Sequence, residues 1–346
     1  MIRVGVLGAT GYAGAELVRI LLGHPDVKIA ALTSRQYAGV SFSNIFPSMK
    51  GFADIDCEEY RAGSFTGRVD VAFTALPHKL PMAFVPGLLE NGIKVIDLSA
   101  DFRFRDVSVY EKFYQPHTSR KLSEEEAVYG LSEINFSKIR KARLIGNPGC
   151  YPTSLLLPLV PLIQNGFINT RSIIVDSKSG VSGAGRSLSL GTHFCEVNES
   201  FKAYKVSVHR HAPEMEEVLS EAAGAPVKIT FVPHLVPMTR GMLTTAYADM
   251  SGKANEVELR ECLDSFYRDH KFIRICPENT FPDVSNVRAT NFCDIGVKAD
   301  ARNNRIILVS AIDNLVKGAA GQAVQNMNIM TGIEETAGLD NPPFPV

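Results

Sequence analysis

The sequence predicts an α/β protein in which a parallel sheet with crossover helices is followed by a second domain with a mainly antiparallel sheet. Five apolar runs with strand character alternate with helix-length or loop segments in the first half, at 2–8, 27–34, 69–76, 94–100 and 142–147. Runs that are apolar on both faces and spaced in this way are typical of buried parallel strands. Strand-like runs then follow one another with few helices between them, at 172–179, 227–237, 241–250, 291–299 and 305–312. That arrangement favours antiparallel pairing.

Two segments of the second half have the end signals of helices. Residues 213–224 begin with Pro213, which a first turn tolerates, and end at Gly224. Residues 255–270 begin with Asn255, a good N-cap. The change from alternating to successive strands predicts a domain boundary near Cys150.

Composition narrows the class of protein. The chain has 346 residues with 36 basic and 37 acidic side chains, which suits two globular domains and does not suggest a nucleic-acid partner. No apolar run approaches the roughly 18 residues of a membrane span, and the N-terminus resembles a strand rather than a signal peptide. The six cysteines form no C-x-x-C pair, so neither zinc nor disulfides are expected. We expect a soluble cytoplasmic protein with free thiols and no membrane partner.

A glycine-rich turn joins the first strand to the first helix. The segment GATGYAG has glycines at 8, 11 and 14. Such a turn lets backbone N–H groups and the helix N-terminus approach a pyrophosphate. A tight turn without a ligand is the alternative. The predicted cofactor-binding residues here are Gly8, Thr10, Gly11, Tyr12, Ala13 and Gly14.

The end of the second predicted strand bears on which dinucleotide binds. An acidic residue that would accept a ribose hydroxyl is missing there, and Ser34 and Arg35 stand in its place. An arginine favours a 2′-phosphate, so the sequence predicts NADP rather than NAD. Alternatively, Arg35 is a solvated loop cation.

Cys150 stands in the segment LIGNPGCYPTS, after a turn-forming Asn-Pro-Gly. If it begins a helix, the N-terminal N–H groups stabilise a thiolate and an oxyanion. An isolated cysteine among apolar residues is also commonly a packing residue. Pro158 and Pro161 predict that the helix is short or kinked.

A base for this cysteine is offered by the segment YKVSVHRHAPEME. His209 and His211 are two residues apart, which would place both on one face of a predicted strand. A metal site is the alternative, but no further ligand set completes one, so no metal is predicted. Glu214 either orients an imidazole or complements the dipole of the following helix.

Three arginines could bind an anionic substrate, and a second glycine-rich loop could approach the cofactor. Arg103, Arg186 and Arg210 are the arginines, and each could equally be structural. The loop SGVSGAG contains Ser182 and Gly183. A flexible turn is its alternative.

Six segments in order resemble the N-acetyl-γ-glutamyl-phosphate reductase family, within the broader group of aspartate-semialdehyde dehydrogenases. They are GATGYAG, DLSADFR, GNPGCYPT, SGVSGAGR, HRHAPE and DNLVKGAAGQA, and they cover nearly the whole chain. The resemblance implies NADPH-dependent reduction of an acyl phosphate to a semialdehyde through a cysteine thioester. It also implies a discontinuous Rossmann-type NADP-binding domain (1–149 and 315–346) and a catalytic and dimerisation domain (150–314). A homodimer or homotetramer is expected.

The resemblance also implies residue roles. Cys150 is the nucleophile and His209 the acid/base residue. Substrate-side or supporting positions are Arg103, His211, Arg186 and Glu214, and Asn314 joins Ser182, Gly183, Ser34 and Arg35 beside the cofactor. Three rival functions remain open: a phosphorylating dehydrogenase for an aspartate- or aminoadipate-derived substrate, a non-catalytic nucleotide sensor, and a Cys-His hydrolase.

Overall fold

The computed structural model describes residues 1–344, which fold into two units. Unit 1 comprises Met1–Pro148 and Ala319–Asn341, and unit 2 is centred on Gly149–Gly318. The chain therefore crosses between the units after Pro148 and after Gly318, beside the predicted divisions after 149 and after 314. Among the described residues, no helix combines the length and apolar character that crossing a membrane requires.

The strands and helices are numbered in chain order. The strands are β1 Ile2–Leu7, β2 Val27–Thr33, β3 Cys57–Glu58, β4 Val71–Thr74, β5 Lys94–Asp97, β6 Ala127–Tyr129, β7 Leu144–Gly146, β8 Ile174–Gly180, β9 Lys202–Ala203, β10 Thr230–Val236, β11 Met242–Asp249, β12 Ile273–Ile275, β13 Cys293–Asp300 and β14 Arg305–Ile312. The α-helices are α1 Tyr12–Leu22, α2 Phe42–Ile45, α3 Leu80–Glu90, α4 Val107–Phe113, α5 Arg120–Glu125, α6 Ser132–Ile139, α7 Cys150–Gln164, α8 Phe194–Val197, α9 Ala212–Ala223, α10 Glu256–Phe266 and α11 Gly321–Thr331. A π-helical segment, Val316–Ala320, precedes α11.

Unit 1 is built on a parallel sheet with strand order β3-β2-β1-β4-β5-β7-β6. Its recorded strand pairs are all parallel. The central strands are buried. In a parallel sheet the crossover helices cover both faces, so the apolar runs of these strands show no polar alternation. The five predicted strands are present. Sequence reasoning missed β3 and β6, which are only two and three residues long.

The order of the unit 1 strands reverses between β1 and β4, and ligands of such sheets collect at the carboxyl ends of the strands. Gly8 follows β1 and Ser34 follows β2 at this edge. Asp97 ends β5, and Asn147 follows β7. The fold thus gathers the glycine-rich turn and the residues leading towards Cys150 at one edge of the sheet.

Unit 2 contains a mixed sheet with order β12-β13-β14-β11-β8-β10-β9. Antiparallel pairs join β13 to β14, β14 to β11, β11 to β8, and β10 to β9. The β8–β10 and β12–β13 pairs are parallel. The predicted fold class, a parallel-sheet domain followed by a mainly antiparallel one, is confirmed. Helices α9 and α10 also begin where their end signals predict.

Helix α7 is predicted to be short or kinked because of its two prolines. It runs for 15 residues through both Pro158 and Pro161, so it is not shortened. A proline leaves the carbonyl four residues earlier without its helical donor. Here the hydroxyl of Ser310 donates to Ser154 O at 2.6 Å, and the hydroxyl of Tyr267 donates to Leu157 O at 2.5 Å. The rest of unit 2 therefore supplies the two donors that the prolines remove.

Candidate active site

The glycine-rich turn of unit 1 uses its three glycines differently. Gly8 has a φ of +83°, and a Cβ there would lie 2.4 Å from Ala75 O. A Cβ on Gly14 would lie 2.2 Å from Gly8 O. Gly11 is the N-cap of α1 at a φ of −74°, and a Cβ there would meet nothing nearer than 3.7 Å. The backbone thus requires glycine at 8 and 14, whereas glycine at 11 leaves open the space beside the helix N-terminus.

The residues predicted to lie beside the ribose of the cofactor come from two turns of unit 1. The hydroxyls of Thr10 and Ser34 are 2.9 Å apart. The N–H groups of Gly8 and Ala9 both donate to Thr33 O, at 3.2 and 3.0 Å, which ties the first turn to the end of β2. Arg35 follows and is exposed. The structure therefore places Ser34 beside the glycine-rich turn and leaves the next residue, Arg35, exposed.

Arg103, predicted to face the substrate, is buried in unit 1. Its Nε donates to Asn147 O at 2.7 Å, and its Nη2 donates to Leu98 O at 2.8 Å. The side chain of Asn147 accepts from Asn326 Nδ2 at 3.0 Å and donates to Ala319 O at 3.1 Å. Arg103 thus helps to fix the residue that precedes Pro148. Its substrate role stays a prediction.

Two buried carboxyl groups stabilise the loop that carries Arg103. Asp97 accepts from the hydroxyls of Thr74 and Ser99, both at 2.6 Å, and Asp101 accepts from the hydroxyl of Tyr110 at 2.7 Å. Burial, and secondarily the neighbouring Asp101, raises the pKa of Asp97 to about 7. Sequence reasoning missed this cluster, because one acidic residue at a strand end carries no distinctive signal.

Cys150 is the first residue of α7 in unit 2 and is half-buried. Its N-cap, Gly149, has extended backbone and donates its N–H to Glu214 Oε1 at 2.9 Å. Gly318 lies against the cysteine, since a Cβ at 318 would fall 2.7 Å from Cys150 Cβ. The thiol therefore sits at the positive end of a helix dipole, which favours its ionised form.

The histidine pair does not lie on a strand, so that prediction is wrong. His209 lies between two turns, outside any helix or strand, and His211 is the N-cap of α9. Lys205 and Ser207 take positive φ angles of 46° and 59°, which breaks any extended run. The backbone N–H of His211 donates to Nδ1 of His209 at 3.1 Å. In the neutral ring of His209, the proton is consequently on Nε2.

His209 is buried within a group of aromatic rings. The ring centroids of Tyr151, Tyr204 and Phe231 lie 5.3, 5.5 and 5.5 Å from its own. Burial, followed by the charges of Lys205 and Arg210, lowers the pKa of His209 to about 4. The imidazole of the ligand-free protein is therefore neutral at physiological pH.

Two tyrosine hydroxyls accompany the cysteine. Those of Tyr151 and Tyr204 are 3.0 Å apart. Burial raises the pKa of Tyr204 to about 12, and the negative charge of Cys150 acts in the same direction. The pKa of Tyr151 is also raised, again mainly by burial. Tyr151 adjoins the cysteine in the sequence and could have been considered, whereas Tyr204 carried no sequence signal.

The second glycine-rich loop, SGVSGAG, is hydrogen-bonded to Asn314, which is predicted to bind the cofactor together with it. Asn314 donates from Nδ2 to the hydroxyl of Ser182 at 2.9 Å, and its Oδ1 accepts from Gly241 N at 2.7 Å. Gly183 is adjacent, since a Cβ there would lie 3.7 Å from Asn314 Nδ2. Arg186 ends the loop and is exposed. Within residues 1–344, no group of three or more His, Cys, Asp or Glu side chains could hold a metal ion.

Family models match both parts of the chain. Residues 3–142 match the model described as semialdehyde dehydrogenase, NAD binding domain, and residues 150–314 match the one described as semialdehyde dehydrogenase, dimerisation domain. A solved structure of aspartate semialdehyde dehydrogenase II from Vibrio cholerae aligns with a TM-score of 0.72 at 18% identity, covering 96% of this chain and 98% of that one. A Candida albicans aspartate semialdehyde dehydrogenase solved with NADP aligns at 0.69 and 18%, covering 96% and 98%. The two domain models together span most of the chain and place it in the semialdehyde dehydrogenase class, and the solved structures share its fold.

Curated relatives of similar sequence narrow this class to one family. N-acetyl-gamma-glutamyl-phosphate reductase from Desulforapulum autotrophicum is 56% identical over 98% of both chains. Its namesake from Geobacter sp. strain M21 is 51% identical over the full length of both. The chain belongs to the N-acetyl-γ-glutamyl-phosphate reductase family, and the resemblance seen in its sequence motifs is confirmed.

Proposed function

We propose that this protein catalyses the NADPH-dependent reduction of N-acetyl-γ-glutamyl phosphate to N-acetylglutamate 5-semialdehyde, with release of inorganic phosphate. The observation that carries the proposal is Cys150 at the first position of α7, in the same unit as a buried neutral His209. The substrate is supported by the shared name of relatives that are 51–56% identical over almost the whole chain. Such an oxidoreductase would serve arginine biosynthesis.

NADP(H) is the proposed cofactor. The open space at Gly11 suits a pyrophosphate at the N-terminus of α1, and the exposed Arg35 suits a 2′-phosphate. We assign the remaining contacts to the other predicted cofactor residues, Gly8, Thr10, Tyr12, Ala13, Gly14, Ser34, Ser182, Gly183 and Asn314. When bound, NADPH supplies the hydride that reduces a thioester on Cys150.

The proposed first step uses the ionised thiol of Cys150. The sulfur attacks the acyl carbon, a C–S bond forms, and the bond to the phosphate oxygen breaks. The N-terminus of α7 stabilises the thiolate before attack and negative charge on the carbonyl oxygen during it. After hydride addition, the thiohemiacetal alkoxide collapses to the aldehyde and returns the thiolate without needing a further proton.

We assign the single proton of the overall reaction to His209. Departing phosphate takes up one proton, and an acyl phosphate bound nearby would favour the charged imidazole because opposite charges raise the pKa of a histidine. His209 then donates from Nε2, and its Nδ1 loses the hydrogen bond from His211 N while charged. Arg103, Arg186, His211 and Glu214 are the predicted substrate-side or supporting residues.

We further propose a homodimer or homotetramer in the cytoplasm. The dimerisation-domain match spans 150–314, and alternate residues of β11, including Leu243 and Tyr247, are only half-buried. Leu188 and Phe194 are exposed in the same unit. A second copy would cover such apolar surface. All six cysteines are free thiols, which suits a reducing compartment.

The decisive experiment runs the reaction backwards. Purified protein should reduce NADP⁺ when given N-acetylglutamate 5-semialdehyde and inorganic phosphate together, and should not do so when phosphate is omitted. Aspartate semialdehyde and aminoadipate semialdehyde serve as matched substrates and should react at least about tenfold more slowly. Preference for either of them, or for NAD⁺, would overturn the corresponding part of the proposal.

A further inference from the structure

Helix α7 begins without a cap of its own. Its N-cap residue is Gly149, which has no side chain to accept a hydrogen bond. The third helical residue, which in a capping box reaches back to the N-cap N–H, is Pro152. The N–H of Gly149 therefore needs an acceptor from elsewhere.

Glu214 supplies that acceptor from α9. Its Oε1 accepts the Gly149 N–H at 2.9 Å, and the side chain is 1% exposed. Its helical neighbours Pro213 and Met215 are also buried, so the carboxyl group is fixed from its own helix. At 1% exposure, the carboxyl group has almost no surface left for a substrate to contact.

Helix α10 of the same unit shows what this contact normally does. There Asn255 is the N-cap, and Glu258, at the third helical position, accepts the Asn255 N–H at 2.9 Å. Asn255 accepts from Glu258 N at 3.0 Å in return. Glu214 thus performs at α7 the role that Glu258 performs within α10, but it does so from a different helix and beside Cys150.

We propose that Glu214 is a positioning residue that holds the first turn of α7, and with it Cys150, through the Gly149 N–H. This rests on the proposed role of Cys150 as nucleophile. Gly318 lies against Cys150 Cβ, so the cysteine has a fixed neighbour as well as a fixed helix start. Freeing Gly149 would let the sulfur shift, and a displacement of about 1 Å can cost about a hundredfold in rate.

The test compares Glu214→Ala with Glu214→Gln, whose amide oxygen can still accept the N–H. We expect Glu214→Ala to lower kcat about tenfold or more, with KM for the acyl phosphate within about threefold of wild type. Glu214→Gln should keep kcat within about threefold. A Gln variant as impaired as the Ala variant, or a tenfold rise in KM at unchanged kcat, would overturn the proposal in favour of a substrate contact.

A control and a second measurement keep the test decisive. Glu258→Ala removes the equivalent bond from α10 and should lower the unfolding midpoint without changing kcat. Alkylation of Cys150 by iodoacetamide requires no substrate, so it tests positioning even if the proposed reaction fails. It should be at least about threefold slower in Glu214→Ala than in Glu214→Gln, and equal rates contradict the proposal. If the Ala variant does not fold, retention or loss of kcat in the Gln variant decides.

Discussion

The helices α1 and α7 both begin after a short turn that follows a parallel strand, and both have glycine as N-cap. Gly11 has φ −74° and ψ 167°, and Gly149 has φ −70° and ψ 156°, so the two backbones leave their turns alike. Their surroundings differ. A Cβ built at Gly11 meets nothing nearer than 3.7 Å, whereas Glu214 holds Gly149 and Gly318 lies against the next residue, Cys150. One helix start has open space for the proposed cofactor, and the other is built around Cys150, the proposed reactive group of the chain itself.

The largest expected effect follows from removing that reactive group. Cys150→Ser should reduce turnover about a thousandfold or more, because an alcohol at this position is far less ionised than a thiol. NADPH affinity, measured by fluorescence titration, should stay within about twofold, since the α1 turn is unchanged. A variant that retains more than a few per cent of activity would exclude the covalent route.

Substitution of His209 should have the next largest effect on turnover. His209→Gln is expected to lower kcat by about 10²–10⁴, the usual contribution of a positioned proton donor. His211→Gln is the matched control, because the hydrogen bond to His209 comes from its backbone N–H and survives the substitution. Its smaller loss would separate the two histidines, and equal losses would contradict the assignment.

The environment of His209 also predicts its titration. Its pKa in the folded protein, about 4, lies below the unfolded value of about 6.5. His209 therefore leaves stability unchanged above about pH 6.5 and costs stability as the pH falls from 6.5 towards 4. NMR titration of the ligand-free protein, assigned through His209→Gln, should give a midpoint near 4, and inorganic phosphate should raise it. A ligand-free midpoint near 6.5 would contradict the buried, neutral ring.

Substitutions in the turn before α1 should separate an effect on stability from an effect on NADPH binding. Gly14→Ala would force a Cβ within 2.2 Å of Gly8 O, so we expect a loss of about 1–3 kcal/mol in the free energy of unfolding. Gly11→Ser preserves a good N-cap and fills open space. It should change stability by less than about 0.5 kcal/mol and raise KM for NADPH about tenfold. Unfolding in denaturant and steady-state kinetics provide the two measurements, and an unchanged KM would show that the open space at Gly11 is not where the cofactor binds.

The two helix starts also differ in how far the sequence predicts them. The α1 turn follows from local rules, because glycines between a buried strand and an amphipathic helix are typical of a dinucleotide-binding turn. The α7 start depends on residues distant in the sequence: Glu214, Gly318 and Tyr204 lie 64, 168 and 54 positions from Cys150. No local pattern links them, so the motifs predict Cys150 as the nucleophile but do not predict its surroundings. The strand wrongly predicted at His209 has a local cause. Lys205 and Ser207 take positive φ angles although neither is a glycine, so the sequence carries no signal of the break there.

The body of α7 is longer than its prolines predict for the same reason, since the residues that support it are distant in the sequence. This feature gives the smallest and most local of the expected effects. Local rules end or bend a helix at Pro158 and Pro161, but the carbonyls these prolines leave behind accept from Ser310 and Tyr267. Ser310→Ala and Tyr267→Phe should each lower the free energy of unfolding by about 1–3 kcal/mol, because each leaves a buried carbonyl without a partner.

The control for this effect is an exposed bond of the same kind. Thr280 donates to Pro277 O at 2.7 Å at the surface, where water can replace it. Thr280→Ala should therefore cost less than about 0.5 kcal/mol. Losses of similar size in all three variants would mean that the hydroxyls near α7 are not what carries the helix through its prolines. A deficit confined to Ser310→Ala and Tyr267→Phe would show that α7, unlike α1, owes its continuity to donors from outside the helix.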